Sequence, residues 1–262
     1  MSDVFTLIIL FIFGAALGSF ACCQAWRLHL KEQGKRLGQR SVCLHCKYKL
    51  KWYDNIPIFS WLLLKGKCRK CKNPIGKAEI LSELSLATAF TLVGLEFFAN
   101  STFATISIIQ AILLLITLVN FWILLVYDAK WGRLPTIILA LANVTALIYA
   151  ALSLSQAPDF LPALINMVGA VGLLAGIYFL LYFFSKEQMV GGGDWLVCLA
   201  IALILGHWWL AILELFLANL LASVATLPAF IKKGRKKLYF GPFLIIGFVV
   251  IYLLRTWLMS FI

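Results

Sequence analysis

Long apolar runs alternate with short polar breaks along most of the chain. Runs at 4–26, 79–99, 103–127, 134–154, 160–184, 195–209, 210–230 and 239–261 each come near the roughly 20 residues that cross a hydrocarbon core as a helix. Lipid offers backbone N–H and C=O groups no partner, so such runs must be helical. Only Gly206-His207-Trp208-Trp209 separates the sixth run from the seventh. The pattern therefore predicts an all-α polytopic membrane protein of about eight transmembrane helices, or seven if those two runs join. The first run has the length of a span and lacks a small-residue cleavage site preceded by basic residues, so it reads as an anchor. The one long polar stretch, 27–78, divides the chain into a first transmembrane helix (1–26), an insert (27–78) and a membrane core (79–262).

Composition agrees. Hydrophobic residues make up 63% of the chain, against roughly 45–50% in soluble domains. Charge adds orientation. Between Arg27 and Lys77 lie fourteen Lys/Arg and two acids, which accounts for the whole formal charge of +12. A basic chain invites a nucleic-acid partner, but the positive-inside rule explains the excess without one. The expected surroundings are the lipid bilayer and its anionic headgroups. With 27–78 cytoplasmic, the N-terminus lies outside and alternation does the rest. The loops carrying Lys130 and Arg133, Lys186, and Lys232, Lys233, Arg235, Lys236 and Lys237 all fall inside, whereas 100–102 and 155–159 carry no Lys or Arg. Asp128 and Asp194 then share the cytoplasmic membrane face.

An insert of this size cannot bury a core of its own. It carries Cys43-Leu44-His45-Cys46 and Cys68-Arg69-Lys70-Cys71, with 21 residues between the pairs. Two C-x₂-C pairs at such spacing are the pattern of a four-thiolate structural zinc site. The surrounding lysines and arginines offset its negative charge. Two disulfides are the rival reading, disfavoured in a reducing cytoplasm. A catalytic zinc would need an open coordination position, which four cysteines do not leave. Cys22, Cys23 and Cys198 lie within apolar runs and read as small packing residues.

The acids that remain are costly. Asp194 follows Gly191-Gly192-Gly193 at the mouth of an apolar run, and an ionisable group there marks a functional site. Three glycines let another backbone, or a substrate, come close. A glycine turn whose Asp caps the next helix is the plainer alternative. Asp128 ends the third run, where it could simply face Lys130 or Arg133. Two carboxylates at one depth, without a Ser/His or Cys/His set, suggest aspartic protease chemistry, in which like charges in contact share one proton.

These residues resemble the type IV prepilin peptidases, the bacterial leader peptidases of the GxGD aspartic protease class. The likeness runs through Gly18-Ser19-Phe20 with Arg27, then Arg40 to Cys46, Trp52 to Leu62, Gly66 to Cys71 and Glu83. It ends with Asp128 and Leu134-Pro135, and with Gly191 to Asp194. The resemblance implies Asp128 and Asp194 as catalytic acids. It implies cleavage of a basic leader from prepilin or pseudopilin substrates at the cytoplasmic face of the bacterial inner membrane. It also implies N-methylation of the new N-terminus with S-adenosylmethionine, for which Gly18, Arg27 and Glu83 are candidates, in a methyltransferase or a structural role. Two further readings of the residues stand beside it. One is a non-catalytic zinc-ribbon adaptor that docks a cytoplasmic partner. The other is a redox enzyme built on the Cys pairs.

Overall fold

The computed structural model describes residues 2–35, 41–43, 45–100, 105–185, 190–233 and 239–261. Arg40, Leu44, Lys186, Arg235, Lys236 and Lys237, used above for motif and orientation, lie outside the described residues. Each predicted span is helical over most of its described residues. The helices are α1 (Ser2–Glu32), α2 (Phe59–Leu63), α3 (Lys77–Asn100), α4 (Thr105–Trp131), α5 (Thr136–Ser155), α6 (Phe160–Val171), α7 (Ile177–Ser185), α8 (Asp194–Leu205), α9 (Trp208–Lys233) and α10 (Gly241–Met259). A wide π-turn, Gly172–Gly176, joins α6 to α7 into one span. Seven helices among the described residues are long and apolar enough to cross a membrane.

Two boundaries depart from the apolar pattern, each for a local reason. α1 continues past residue 26 because the next residues are good helix formers. It stops where Gly34, at φ 71°, closes a Schellman turn. Lys35 N–H there donates to Leu30 C=O at 2.9 Å, and Gly34 N–H to Lys31 C=O at 3.0 Å. Arg27 is thus a helical residue. The break at Gly206 is real: Gly206 is left-handed at φ 64° and its N–H closes on Ala202 C=O at 2.9 Å. The sixth and seventh runs are therefore separate helices. α8 has 12 residues, so it is only about 18 Å long, short of the roughly 30 Å of a full span.

The chain packs as two units, 1–101 and 102–262. In the first, α1 lies against α3 with almost no side chain between them. A Cβ on Gly14 would meet Ala87 Cα at 2.8 Å, and one on Gly18 would meet Ser82 O at 2.5 Å and Glu83 Cα at 2.7 Å. Gly14 and Gly18 form a G-x-x-x-G pair, the small-residue seam by which membrane helices approach where no hydrophobic effect drives them together. Ser82 Oγ closes the contact by donating to Gly18 C=O at 2.9 Å. The insert belongs to the same unit. In the second unit α5 and α10 each pack on both α4 and α8. Phe121 of α4 and Phe248 of α10 meet edge to face at 5.5 Å in the core.

Candidate active site and metal centre

The two cysteine pairs form knuckles of the same build. Cys43 N–H donates to Tyr48 C=O at 2.9 Å, and Lys47 N–H returns to Cys43 C=O at 3.0 Å. In the second knuckle Cys68 N–H donates to Asn73 C=O at 2.8 Å, and Lys72 N–H returns to Cys68 C=O at 3.0 Å. The residue after each second cysteine, Lys47 or Lys72, is left-handed at φ 56° or 59°. A short antiparallel bridge flanks each knuckle, Val42 with Lys49 and Lys67 with Pro74. A non-glycine residue in that conformation is strained, and the same strain at equivalent positions marks a backbone shaped around the sulfurs. All four Sγ atoms lie within 4.8 Å of one another, and the cysteines form no disulfide. The group could hold a metal ion. Backbone N–H groups of Cys71 and Lys70 directed at the Cys68 sulfur lower its thiol to about 7, while the crowded sulfurs around Cys71 push that thiol up to about 11.

An ion pair between a half-exposed arginine and a buried aspartate secures the fold between the knuckles. Arg69 Nε donates to Asp54 Oδ1 at 2.7 Å, and the Asp54 side chain is 2% exposed. Asp54 Oδ2 accepts Lys51 N–H at 3.1 Å. The Arg69 guanidinium also lies over the Tyr53 ring, 5.0 Å from its centroid.

Of the resemblance candidates in the first unit, Gly18 lies in the α1–α3 seam. Glu83, buried on α3, accepts Ile58 N–H through Oε2 at 2.7 Å. The donor lies 25 residues away in the sequence. Ile58 sits at φ 63°, ψ −56°, and Phe59 N–H donates to Pro57 C=O at 2.6 Å. This is a tight γ-turn centred on a β-branched residue, a rare and strained arrangement. No sequence signal marks it, beyond Pro57 itself.

Both aspartates of the second unit are buried, Asp128 at 5% exposure and Asp194 at 6%. Asp128 lies in the last turn of α4. Its Oδ2 accepts the N–H of Gly241 at 3.1 Å. Gly241 opens α10, whose N-cap Phe240 offers no side-chain acceptor. Asp128 thus meets an otherwise unsatisfied amide at the positive end of a helix. Asp194 is the first helical residue of α8, with Gly193 as N-cap, so it is not the N-cap itself. Its Oδ2 accepts Gly191 N–H at 2.9 Å, while its own N–H donates to Gly191 C=O at 3.1 Å.

The three glycines have neighbours at close range. A Cβ on Gly191 would meet Asp194 Oδ2 at 3.3 Å, one on Gly192 the Tyr182 ring at 3.2 Å, and one on Gly193 Leu134 at 2.8 Å. The last contact joins the glycine turn to Leu134-Pro135, the linker that follows Asp128. The structure thereby brings the two acid motifs together through Leu134 and Gly193, and through α5 and α10, which touch both α4 and α8.

One further acid of the second unit is fully buried. Glu214 of α9 is 0% exposed. Neither of its oxygens has a hydrogen-bond partner among the described residues, and a Cβ on Gly247 would meet both at 2.9 Å.

Residues 12–97 match the family model described as the bacterial peptidase A24 N-terminal domain. The chain is similar along nearly its whole length to a prepilin leader peptidase/N-methyltransferase of Bacillus subtilis (strain 168), 30% identical over 97% of each chain. It is 29% identical to one of Vibrio cholerae serotype O1, over 94% of this chain and 96% of that one. It is 32% identical to a type 4 prepilin-like proteins leader peptide-processing enzyme of Escherichia coli O78:H11, over 79% of this chain and 73% of that one. No solved structure is a significant match. Relatedness at this identity over the full length, joined to the two acid motifs and the paired knuckles, makes the chain a member of the prepilin leader peptidase/N-methyltransferase family.

Proposed function

We propose that the protein is a membrane-embedded aspartic endopeptidase that removes the leader from prepilin or pseudopilin substrates. The observation that carries this is the pair of buried aspartates, each held through one oxygen by a glycine amide. Each such bond fixes the orientation of its carboxylate. Asp128 and Asp194 act together on one water. One takes a proton from it as its oxygen attacks the scissile carbonyl, and the other protonates the departing amine. Which acid carries the shared proton belongs to the pair rather than to either residue.

The basic insert supports an orientation with the acids at the cytoplasmic face of the bacterial inner membrane. A prepilin is itself a membrane helix preceded by a basic leader, so its cut site emerges at that depth. The metal of the knuckles is Zn²⁺. Zinc–sulfur bonds of about 2.3 Å in a tetrahedron put the sulfurs about 3.8 Å apart, and Cys43 Sγ lies 3.8 Å from Cys71 Sγ. Bound there, zinc cross-links the insert and leaves no position for a reacting water.

The relatives' names support a second activity, methylation of the new N-terminus with S-adenosylmethionine. Gly18 and Glu83 do not form an open donor set for that molecule, since one is filled by α3 and the other is engaged by Ile58. No methyl-transfer step is assigned to them.

The test is leader cleavage in membranes by Asp128→Asn and Asp194→Asn. Each removes an acid/base group worth roughly 10²–10⁴-fold in rate, so each should leave cleavage at background. Full activity in either variant would overturn the proposal. Mass spectrometry of the product N-terminus, with labelled S-adenosylmethionine present, reports methylation in the same reaction.

A further inference from the structure

The insert leaves an apolar surface uncovered. Trp52, Phe59, Leu62 and Leu63 are 78%, 67%, 55% and 81% exposed, within a short stretch that includes all of α2. Exposed Lys51, Lys65 and Lys67 bracket it. A water-facing loop has no reason to present these four side chains, and large exposed apolar patches mark interaction surfaces.

The depth of α2 says what covers it. Ile58, the residue before α2, donates to Glu83 of α3 at 2.7 Å. α3 is a candidate span beginning at Lys77, and Glu83 lies six residues along it, about 9 Å down the helix axis. Leu81 and Leu84, at the same level of α3, are exposed and face lipid in a spanning helix. α2 therefore starts beside a point well inside the end of a membrane helix, not above it. The γ-turn at Ile58 is the device that bends the chain there, and Glu83 holds it. Helices that lie in a membrane surface bury their apolar side about 5–10 Å into the headgroup boundary. Tryptophan favours that boundary, and lysine favours the phosphates above it.

We propose that residues 51–67 of the insert form a membrane-surface anchor, with Trp52, Phe59, Leu62 and Leu63 in the acyl boundary and Lys51, Lys65 and Lys67 on the phosphates of anionic phospholipids. The anchor fixes the metal knuckles against the bilayer. Its occupant is lipid rather than a protein partner, because the surface lies at the level of the lipid-facing residues of α3 and pairs apolar side chains with positive charge.

The test uses the full-length, zinc-loaded protein in vesicles of phosphatidylcholine, and of equal parts phosphatidylcholine and phosphatidylglycerol, with a prepilin peptide added. The photocrosslinker p-benzoylphenylalanine replaces Phe59, Leu63 or, as a control, the exposed His45 of the first knuckle. Phospholipid adducts should form at 59 and 63 at least fivefold above 45. Lys65→Gln with Lys67→Gln should cut the yield at 63 about fivefold or more in the anionic vesicles, since one lysine at such a surface is worth about fivefold, and leave it unchanged in phosphatidylcholine alone. Equal adducts at 45 and 63, no lipid adduct at either 59 or 63, or crosslinks to the prepilin instead would each overturn the proposal. Zinc content identifies any variant whose insert has unfolded. In that case quenching of wild type by brominated phosphatidylcholine, minus that of Trp52→Phe, decides: a difference supports the anchor, and none refutes it.

Discussion

Gly18→Ala probes whether the α1–α3 seam or a ligand explains this glycine. The added methyl would sit 2.5 Å from Ser82 O and 2.7 Å from Glu83 Cα. Both are backbone atoms of α3, and neither can swing away as a side-chain tip would. Relief requires the two helices to part by about an ångström, and overpacking of this kind costs about 1–3 kcal/mol. Parting also loosens the bond from Ser82 Oγ to Gly18 C=O, worth about 0.6 kcal/mol between membrane helices. The sum, about 1.6–3.6 kcal/mol, raises the population of the parted state roughly 15- to 400-fold. Cys22 reports it. It lies one turn along α1 from Gly18 and is 2% exposed, so a membrane-permeant maleimide reaches it chiefly when the helices part. Peptide-resolved mass spectrometry should show Cys22 labelling at least tenfold faster in Gly18→Ala. Labelling of Cys198, in the second unit, should not change. Ser82→Ala, which removes only the hydrogen bond, should speed Cys22 labelling about threefold, and Ile12→Ala, on the outer side of α1, should not alter it. Wild-type protection of Cys22 in Gly18→Ala would refute the packing argument. If methylation were lost at the same time, Gly18 would instead be a ligand contact.

Other perturbations follow from the insert. Chelation, or Cys→Ser at position 43, 46, 68 or 71, should release one zinc per chain and expose 41–76 to protease while helicity of the spans persists. Structural zinc contributes on the order of 10 kcal/mol in small modules, and undiminished resistance of the metal-free insert would count against a structural site. Asp54→Ala should destabilise the insert by about 1–3 kcal/mol, because Lys51 N–H loses its acceptor, and zinc competition with a chromogenic chelator measures that loss. Glu83→Ala should release the strained turn at Ile58 and speed proteolysis between 56 and 65 by about tenfold, from a lost bond of about 1–3 kcal/mol. Glu83→Gln, which keeps an acceptor oxygen, should behave much closer to wild type.

The membrane architecture was legible because span length is set by the bilayer, so runs of apolar residues translate directly into helices. Gly206 was legible as a break, since three of its neighbours are polar or aromatic and glycine takes a left-handed stop readily. The extension of α1 to Glu32 was not, because polar helix formers outside the membrane leave no hydropathy trace. The shortness of α8 is hidden for a related reason: Gly206 to Trp209 lie within the run at 195–209, whereas the helix ends at Leu205. The Gly14-x-x-x-Gly18 seam was present in the sequence as a pattern, but spacing alone does not name the partner helix. The knuckles were legible from four cysteines, whereas their matched left-handed lysines were not, because lysine carries no propensity for that conformation. Ile58 and Glu83 are joined by tertiary folding alone. So are Asp128 and Gly241, separated by 113 residues.

The two acids share a local solution that neither motif reveals by itself. Each carboxylate is met by a glycine N–H, and in each case the missing Cβ is what leaves room. On Gly241 it would lie 2.8 Å from Asp128 Oδ2, and on Gly191 3.3 Å from Asp194 Oδ2. A Cβ would push the Asp128 carboxylate aside at the head of α10 and press more lightly on that of Asp194 within the glycine turn. The partners differ in reach. Gly191 is three residues from Asp194, so that acid is oriented by its own turn. The Asp128 bond reaches the first amide of α10, a partner distant in sequence. Lifting α10 from α4 would break that Gly241 bond while leaving the Gly191 bond to Asp194 intact. The packing of the bundle therefore bears directly on the geometry of the acid on α4.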